Sequence, residues 1–590
     1  MMQDRHDNEL AAFYREAIAR ARAYLNGIYP VENFRESDKD FHHVLNQNKS
    51  SSVWRITAIG KLRTFTFYIA IPQTFPDSFP KLYLSEIDYA EISPIPHVDR
   101  NRFVCTRNPD TVVLNDGQPG EAIEKLLKVA VNILEAGMQG EMKKDFEEEY
   151  IAYWNDESEL KAIVFSDLPA PPARILMYAF AEPLLDASYL ITTSNPIVIS
   201  WLQRLGVERH ISSEERVLFL QLPKVPESLP KTNRDILALF AHLDLASLSA
   251  LDSFRGNTVL ASIDRGDQFM LFAWAHLLLP LKGFRRKKGK IPLKLSMRQF
   301  PDEKIIRFNI KRLDRDRLIR RAIDMGTFGQ EHDSITIVGC GSVGSNLAML
   351  LAKSGTKNFI LIDEETLVEE NVARHLCGIH DVVTTKSKAE AVKKTLEKHL
   401  PFIKCDIHQK NILDMLIHEP QTFNNSKAII FATANMAAER RANDFFHTQI
   451  IKPVIYLWLE PYGVAGHVLF VSPEHGGCYR CCFDFNGGFL FSVSAPGQEF
   501  NRREAGCQTT FLPYGAADLG MFCSITCKII IEILCKIPAR STLYTWIGDK
   551  NQFESNGFKI SGDYAAHDNY SIHVRNPVPQ VMCELCKTKH

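Results

Sequence analysis

Gly339-Cys340-Gly341-Ser342-Val343-Gly344 places glycines where a chain must turn tightly and let phosphates approach the backbone at the start of a helix. Asp363 follows about 20 residues on, the separation at which a carboxylate meets a ribose hydroxyl. Alone, these two signals say only nucleotide, and hydride transfer with NAD is the first chemistry they suggest. A second cluster is made of thiols. Cys478-Tyr479-Arg480-Cys481 and Cys583-Glu584-Leu585-Cys586 are Cys-x-x-Cys knuckles, and four thiolates at this spacing suit a tetrahedral structural zinc, Zn2+. The long insert between them leaves open, on spacing alone, whether they share one ion. Thirteen cysteines in the chain argue for metal ligation, catalysis or core packing rather than a disulfide framework. Cys507 follows a polar, glycine-containing stretch and precedes a long apolar helix pattern. Cys105 follows a proline-rich run and a histidine, His97.

The residues after Asp363 argue against the oxidoreductase. Glu-Glu-Thr-Leu-Val-Glu-Glu-Asn-Val-Ala-Arg-His, then Lys386-Ser387-Lys388-Ala389-Glu390, resembles the adenylating (ThiF/MoeB-like) domain shared by ubiquitin-activating enzymes and the activating enzymes of thiamin and molybdopterin synthesis. The resemblance implies ATP as the nucleotide, with Gly339, Gly341 and Gly344 in its phosphate loop and Asp363 on its ribose. Asn371, Arg374 and Lys388 match the positions that bind the triphosphate and stabilise the adenylation transition state. A carboxylate attacking the α-phosphorus develops charge that fixed cations must neutralise. The family also carries an aspartate that contacts Mg2+ in a segment like Phe431 to Arg441. The aligned residue here is Ala434, which puts the magnesium ligand in question. The same resemblance pairs Cys478, Cys481, Cys583 and Cys586 on one zinc. Cys507 resembles the thioester cysteine of autophagy-type activating enzymes.

At the other end, YIAIPQTFPDSFPKLYL and then Pro94 to Cys105 resemble the core of ubiquitin-conjugating enzymes, where a proline-rich strand end precedes a His-Pro-Asn triplet and the acceptor cysteine follows. Pro96 keeps the triplet's proline, and His97 stands for its asparagine. That asparagine stabilises the oxyanion formed when an amine attacks the thioester, and an imidazole can also donate one hydrogen bond. The order of the parts resembles the fused activating–conjugating proteins of bacterial CBASS antiphage systems. This implies that the C-terminus of a cGAS-like nucleotidyltransferase is activated and joined to an amine or lysine of a target. Adenylating domains of this kind generally pair, which implies a homodimer. Two other classes keep some of the same residues: a sulfur-carrier adenylyltransferase, which has no use for the Cys105 region, and a noncatalytic scaffold that binds the partner's tail, in which Ala434 marks lost activity.

These residues need elements to position them. Strand, glycine turn, helix and strand alternate through SITIVG, CGSVGSN, LAMLLAKSGT and NFILID, the pattern of a doubly wound parallel sheet. The sequence therefore predicts an α/β protein: a conjugating-like α+β domain over residues 1–150, an α/β spacer over 151–315 and a Rossmann-like adenylating domain over 316–590. LPAPPARI, at residues 168–175, marks a domain edge. The run Arg285 to Lys290 reads as a solvated loop or a docking patch for an acidic partner. Hydrophobic content of 45%, charged content of 24% and a formal net charge of -1 fit a soluble chain with no basic field for nucleic acid. The N-terminus has no apolar leader, so the expected location is cytoplasmic, with no membrane involvement. Phe269 to Leu281, the longest apolar stretch, is too short to span a bilayer and is expected to form a buried helix.

Overall fold

The computed structural model describes residues 2–34, 50–92, 95–106, 116–165, 168–193, 200–203, 211–266, 269–277, 291–320, 334–385, 387–449, 452–472, 475–503, 510–580 and 583–587. Arg285 to Lys290 and Cys507 lie outside the described residues. Chain contacts separate two compact units. The first holds Met1–Ile163, Pro169–Ile191 and His210–Lys311, and the second holds Val164–Leu168, Thr192–Arg209 and Arg312–His590.

In the first unit, strands β1 (Val31–Asn33), β2 (Ser50–Ile59), β3 (Thr64–Pro72) and β4 (Lys81–Leu84) form an antiparallel sheet in sequence order. β2 alternates, with Trp54, Ile56 and Ala58 turned inward. The helix Pro119–Met138 covers them with Ile123, Leu126, Leu127, Ala130 and Leu134, the spacing that lines one helical face. Ala21 and Leu25 of the helix Met2–Asn26 join the same core.

Seven strands then close into a barrel: β5 (Leu160–Val164), β6 (Ala173–Leu184), β7 (Ala187–Thr192), β8 (Ile211–Gln221), β9 (Thr258–Asp264), β10 (Phe269–His276) and β11 (Ile305–Arg312). Within the apolar run expected as a helix, Phe269–His276 is therefore a strand, and residues 278–281 lie outside the described residues. A strand in a closed barrel with helices packed on it is buried on both faces, so β10 shows an unbroken apolar run instead of alternation. The helix Lys143–Asp156 runs through the expected boundary at residue 150 and packs on this barrel. Trp154 donates from Nε1 to the Phe308 carbonyl at 3.1 Å and meets Phe272 at 4.7 Å between ring centroids.

The second unit is built on an eight-stranded sheet. β12 (Ser334–Val338), β13 (Asn358–Ile362), β14 (Lys404–His408), β15 (Ser426–Phe431) and β16 (Val454–Leu459) lie parallel in the order β14-β13-β12-β15-β16. β17 (Ala465–Val471), β20 (Thr542–Ile547) and β21 (Ile572–Arg575) extend it antiparallel. The helices Ser342–Lys353, Lys388–His399 and Ala516–Cys535 cover one face, and Ile412–His418 and Met436–Gln449 cover the other. This is the doubly wound α/β fold read from the sequence. Its strand order reverses between β12 and β15, which is where such sheets open a ligand crevice. A short hairpin, β18 (Arg502–Arg503) with β19 (Thr510–Phe511), brackets the segment that carries Cys507. Among the described residues no helix is long and apolar enough to cross a membrane.

Candidate functional sites

The crevice beyond β12 is a cleft of about 210 Å³ lined by Gly339, Gly341, Asp363, Glu364, Glu365, Asn411 and Thr433, among others. Two glycines are required by its geometry. Gly339 has φ +93°, and a Cβ there would lie 2.6 Å from the Ala432 carbonyl oxygen. A Cβ on Gly344 would meet the Gly339 oxygen at 1.8 Å, so this glycine lets the helix start tight against the loop. Gly341 is the N-cap of the helix Ser342–Lys353, whose first amides and dipole favour an anion. Asp363 directly follows β13 and is itself held: it accepts from the Cys340 amide at 2.6 Å and the Glu365 amide at 2.8 Å. Burial raises its pKa against those two bonds.

Lys388, Asn371 and Arg374 are not among the residues that line this cleft. Lys388 is buried and paired with Glu365, which lines the cleft. The Asn371 side chain accepts from the Val368 amide at 3.2 Å, and its carbonyl accepts from the Arg374 amide at 3.0 Å, so it shapes the turn that presents Arg374. Arg374 lines an adjoining pocket of about 440 Å³ together with Tyr462, Phe511, Tyr514, Asp518 and Asp549. Its guanidinium lies 4.5 Å from the centroid of the Tyr514 ring and donates to the Leu512 carbonyl at 3.3 Å. The Tyr514 hydroxyl meets Ser342 Oγ at 2.6 Å, which ties this pocket to the first residue of the helix Ser342–Lys353. No motif in the sequence points to Tyr514, because it arrives from 172 residues away.

Ala434 follows β15 with φ +52°, a conformation that aspartate and asparagine tolerate better than alanine. Its methyl group offers no oxygen to a cation. The three carboxylates of the cleft are already engaged: Asp363 by backbone amides, Glu364 by Asn411 Nδ2 at 2.9 Å and Glu365 by Lys388. These residues do not fit the protein-held magnesium of the adenylating pattern.

The four knuckle cysteines do meet. Their ligand atoms all lie within 4.8 Å of one another, with Sγ separations of 4.0 Å (Cys478–Cys481), 3.7 Å (Cys478–Cys583) and 3.6 Å (Cys481–Cys586). A tetrahedron with Zn–S bonds of about 2.3 Å requires sulfurs about 3.8 Å apart, so the set fits zinc. Neighbouring thiols and the Gln580 amide favour the thiolate at Cys481 and lower its pKa. Cys482 points away and is buried, with its pKa pushed up by desolvation. Tyr479, between Cys478 and Cys481, donates to Glu439 Oε2 at 2.8 Å, while Oε1 of Glu439 accepts from Thr433 of the cleft beyond β12 at 2.7 Å. One buried carboxylate thus joins the knuckle to the cleft.

In the first unit, His97 and Cys105 come together through backbone. The chain doubles back after His97: Val98 pairs with Val104, and the Cys105 amide donates to the His97 carbonyl at 2.8 Å. His97 has φ +64°, and its amide donates to the Tyr153 hydroxyl at 2.9 Å. Its Nδ1 lies 2.9 Å from Glu149 Oε1, and its Nε2 lies 3.9 Å from Asp145. Asp145, Glu149 and Tyr153 are four residues apart on one face of the helix Lys143–Asp156, while Tyr150 and Trp154 on another face enter the barrel. The Cys105 residue is exposed, and burial of its thiol, followed by the charges of Glu149 and Asp99, raises its pKa.

Residues 316–564 match the ThiF family and residues 36–163 match the Prokaryotic E2 family B. A ThiF adenylating domain and a conjugating domain in one polypeptide define an ATP-dependent activating and conjugating transferase of the ubiquitin type. Relatives align over most of both chains. The ATP-dependent ubiquitin transferase-like protein Cap2 of Pseudomonas aeruginosa is 24% identical over 469 residues, covering 75% of this chain and 80% of that protein. Cap2 of Vibrio cholerae is 23% identical over 434 residues, covering 67% and 72%. The chain is similar to these Cap2 proteins over most of its length. The crystal structure of E. coli MccB with ATP aligns with 43% of this chain and 66% of its own, at 17% identity and a TM-score of 0.30.

Proposed function

We propose that this chain activates the C-terminal carboxylate of a protein with ATP, carries the acyl group first on Cys507 and then on Cys105, and transfers it to an amine. Arg374 and Lys388 are the cations of the adenylation step, Asn371 shapes the turn that presents Arg374, and Gly339, Gly341, Gly344 and Asp363 hold the nucleotide. The observation that carries the reading is the hairpin that bonds Cys105 to His97 through the backbone, since an activating enzyme alone needs no second, exposed thiol.

The carboxylate oxygen attacks the α-phosphorus, and pyrophosphate leaves. Charge that develops there faces the N-terminus of the helix Ser342–Lys353. A Cys507 thiolate then attacks the acyl carbon and releases AMP. Cys105, as thiolate, displaces Cys507, and an amine displaces Cys105 to leave an amide. The four knuckle cysteines hold a structural zinc that closes the end of the adenylating domain.

By resemblance to CBASS proteins, the activated protein is a cGAS-like nucleotidyltransferase, the acceptor is an amine or lysine of a target, and the setting is antiviral defence in the cytoplasm. The working form is a homodimer. Three functional parts divide the labour: a conjugating part that runs to the end of the helix Lys143–Asp156, a spacer to about residue 315, and an adenylating part over 316–590. Ala434 favours a second reading, in which the domain grips the tail without turnover; the matches at both ends leave a sulfur-carrier adenylyltransferase without a use for the Cys105 region.

Carboxylate-dependent ATP–pyrophosphate exchange tests the proposal. A peptide ending in the partner's free C-terminus should drive exchange, and its C-terminal amide should not. Equal exchange with both, or none with either, contradicts it.

A further inference from the structure

The Cys105 hairpin contains more than the two residues that the sequence assigns to it. The imidazole of His97 is held between carboxylates of one helix. Nδ1 faces Glu149 at hydrogen-bond distance, Nε2 faces Asp145 at 3.9 Å, and the Tyr153 hydroxyl both accepts from the His97 amide and donates to Glu149. On the same hairpin, Asp99 lies near the Cys105 thiol, whose pKa is raised by burial and then by Glu149 and Asp99. The ring side chain keeps 25% of its surface open.

This arrangement constrains what His97 can do. A nitrogen facing a carboxylate must carry the hydrogen, so Nδ1 is the N–H. If the ring were neutral, Nε2 would then have no hydrogen and could not donate to anything. Donation from Nε2 therefore requires the imidazolium, and two carboxylates beside the ring favour that form.

We propose that Glu149 is a positioning residue that grips His97 through Nδ1 and keeps the ring cationic, so that Nε2–H donates to the oxyanion formed when an amine attacks the Cys105 thioester. This rests on the reading of Cys105 as an acyl carrier. In the step itself the amine nitrogen bonds to the thioester carbon, and the carbonyl electrons move to the oxygen that accepts the Nε2–H. Collapse breaks the C–S bond, Cys105 leaves as thiolate, and the amine's proton passes to water. The ring starts and ends as imidazolium. A cationic donor stabilises the oxyanion more than the neutral amide of the asparagine it replaces. The pKa of His97 is raised, with the Glu149 hydrogen bond as the largest cause, in keeping with this state.

The experiment uses the full chain with its Cys105 thioester preformed and separated from ATP. Discharge is then followed as a first-order rate with hydroxylamine held at one concentration of its uncharged form at every pH. The wild-type rate should fall as pH rises through the titration of His97. E149Q should move that fall to lower pH and slow discharge at pH 7.5 by roughly tenfold. E149D, which keeps the charge, should leave the pH profile near wild type, and H97A should flatten it. A His97-dependent rate that rises with pH would make the ring a general base and overturn the proposal. So would an E149Q rate that is lower by one factor at every pH, which is the mark of a structural role. A wild type that never carries thiol-sensitive acyl on Cys105 overturns the acyl-carrier reading as well.

Discussion

Replacing Glu439 with glutamine isolates the cost of burying a charge between knuckle and cleft. Glu439 is 2% exposed, and its two oxygens accept from Thr433 and Tyr479. Burial outweighs these bonds and raises its pKa from 4.5 to about 7. A carboxyl whose folded pKa is raised contributes stability that is fully present below pH 4.5 and is lost as pH rises through 7, because the folded state binds the proton that the unfolded state releases. At about 1.36 kcal/mol per unit, the 2.5-unit difference amounts to about 3 kcal/mol. Glu439→Gln removes this dependence. Its stability relative to wild type should therefore rise by about 3 kcal/mol between pH 4.5 and pH 8, on top of a constant loss of about 1 kcal/mol for an imperfect acceptor. Urea unfolding of both proteins at the two pH values gives the difference directly. A relative stability that stays constant with pH, or that falls toward pH 8, would show Glu439 to be an ordinary ionised carboxylate and refute the argument.

The purified chain should hold one zinc ion, and chelation should loosen the 478–586 closure; metal analysis below half an equivalent contradicts the four-thiolate site. Arg374→Ala and Lys388→Ala should each reduce carboxylate-dependent pyrophosphate exchange by about 100-fold to 1,000-fold, while Cys105→Ala retains it. Ala434→Asp restores an oxygen to the cleft and relaxes a left-handed alanine, so exchange should increase; no change would mean that this turn is not where a cation is held.

The parts of the site that are legible in the sequence are those whose chemistry is fixed by backbone or by a ligand. Gly339 and Gly344 are demanded by contacts that no Cβ permits, and the knuckle cysteines by sulfur separations that match a tetrahedron. The doubly wound sheet follows from alternation over β12, the glycine turn and β13. Residues brought by tertiary packing escape such a reading. Glu149 and Tyr153 reach His97 from 52 and 56 residues away, and their only trace in the sequence is Asp145, Glu149 and Tyr153 at four-residue spacing. The same helix explains why the boundary expected at residue 150 does not hold: one face serves the hairpin and another, through Trp154, serves the barrel. β10 reads as a helix because burial on both faces of a barrel strand removes the period that separates strand from helix. Arg374 is marked by its motif, but its aromatic partner Tyr514 comes from the far side of the hairpin β18–β19.

The order of the two thioesters tests the central claim most directly. With ATP and the partner protein, non-reducing gels should show thiol-sensitive adducts on the wild-type chain. Cys105→Ala should keep an adduct on Cys507 alone, and Cys507→Ala should leave neither cysteine loaded. An adduct on Cys105 in the Cys507→Ala protein would contradict the relay and mean that the adenylate passes directly to Cys105.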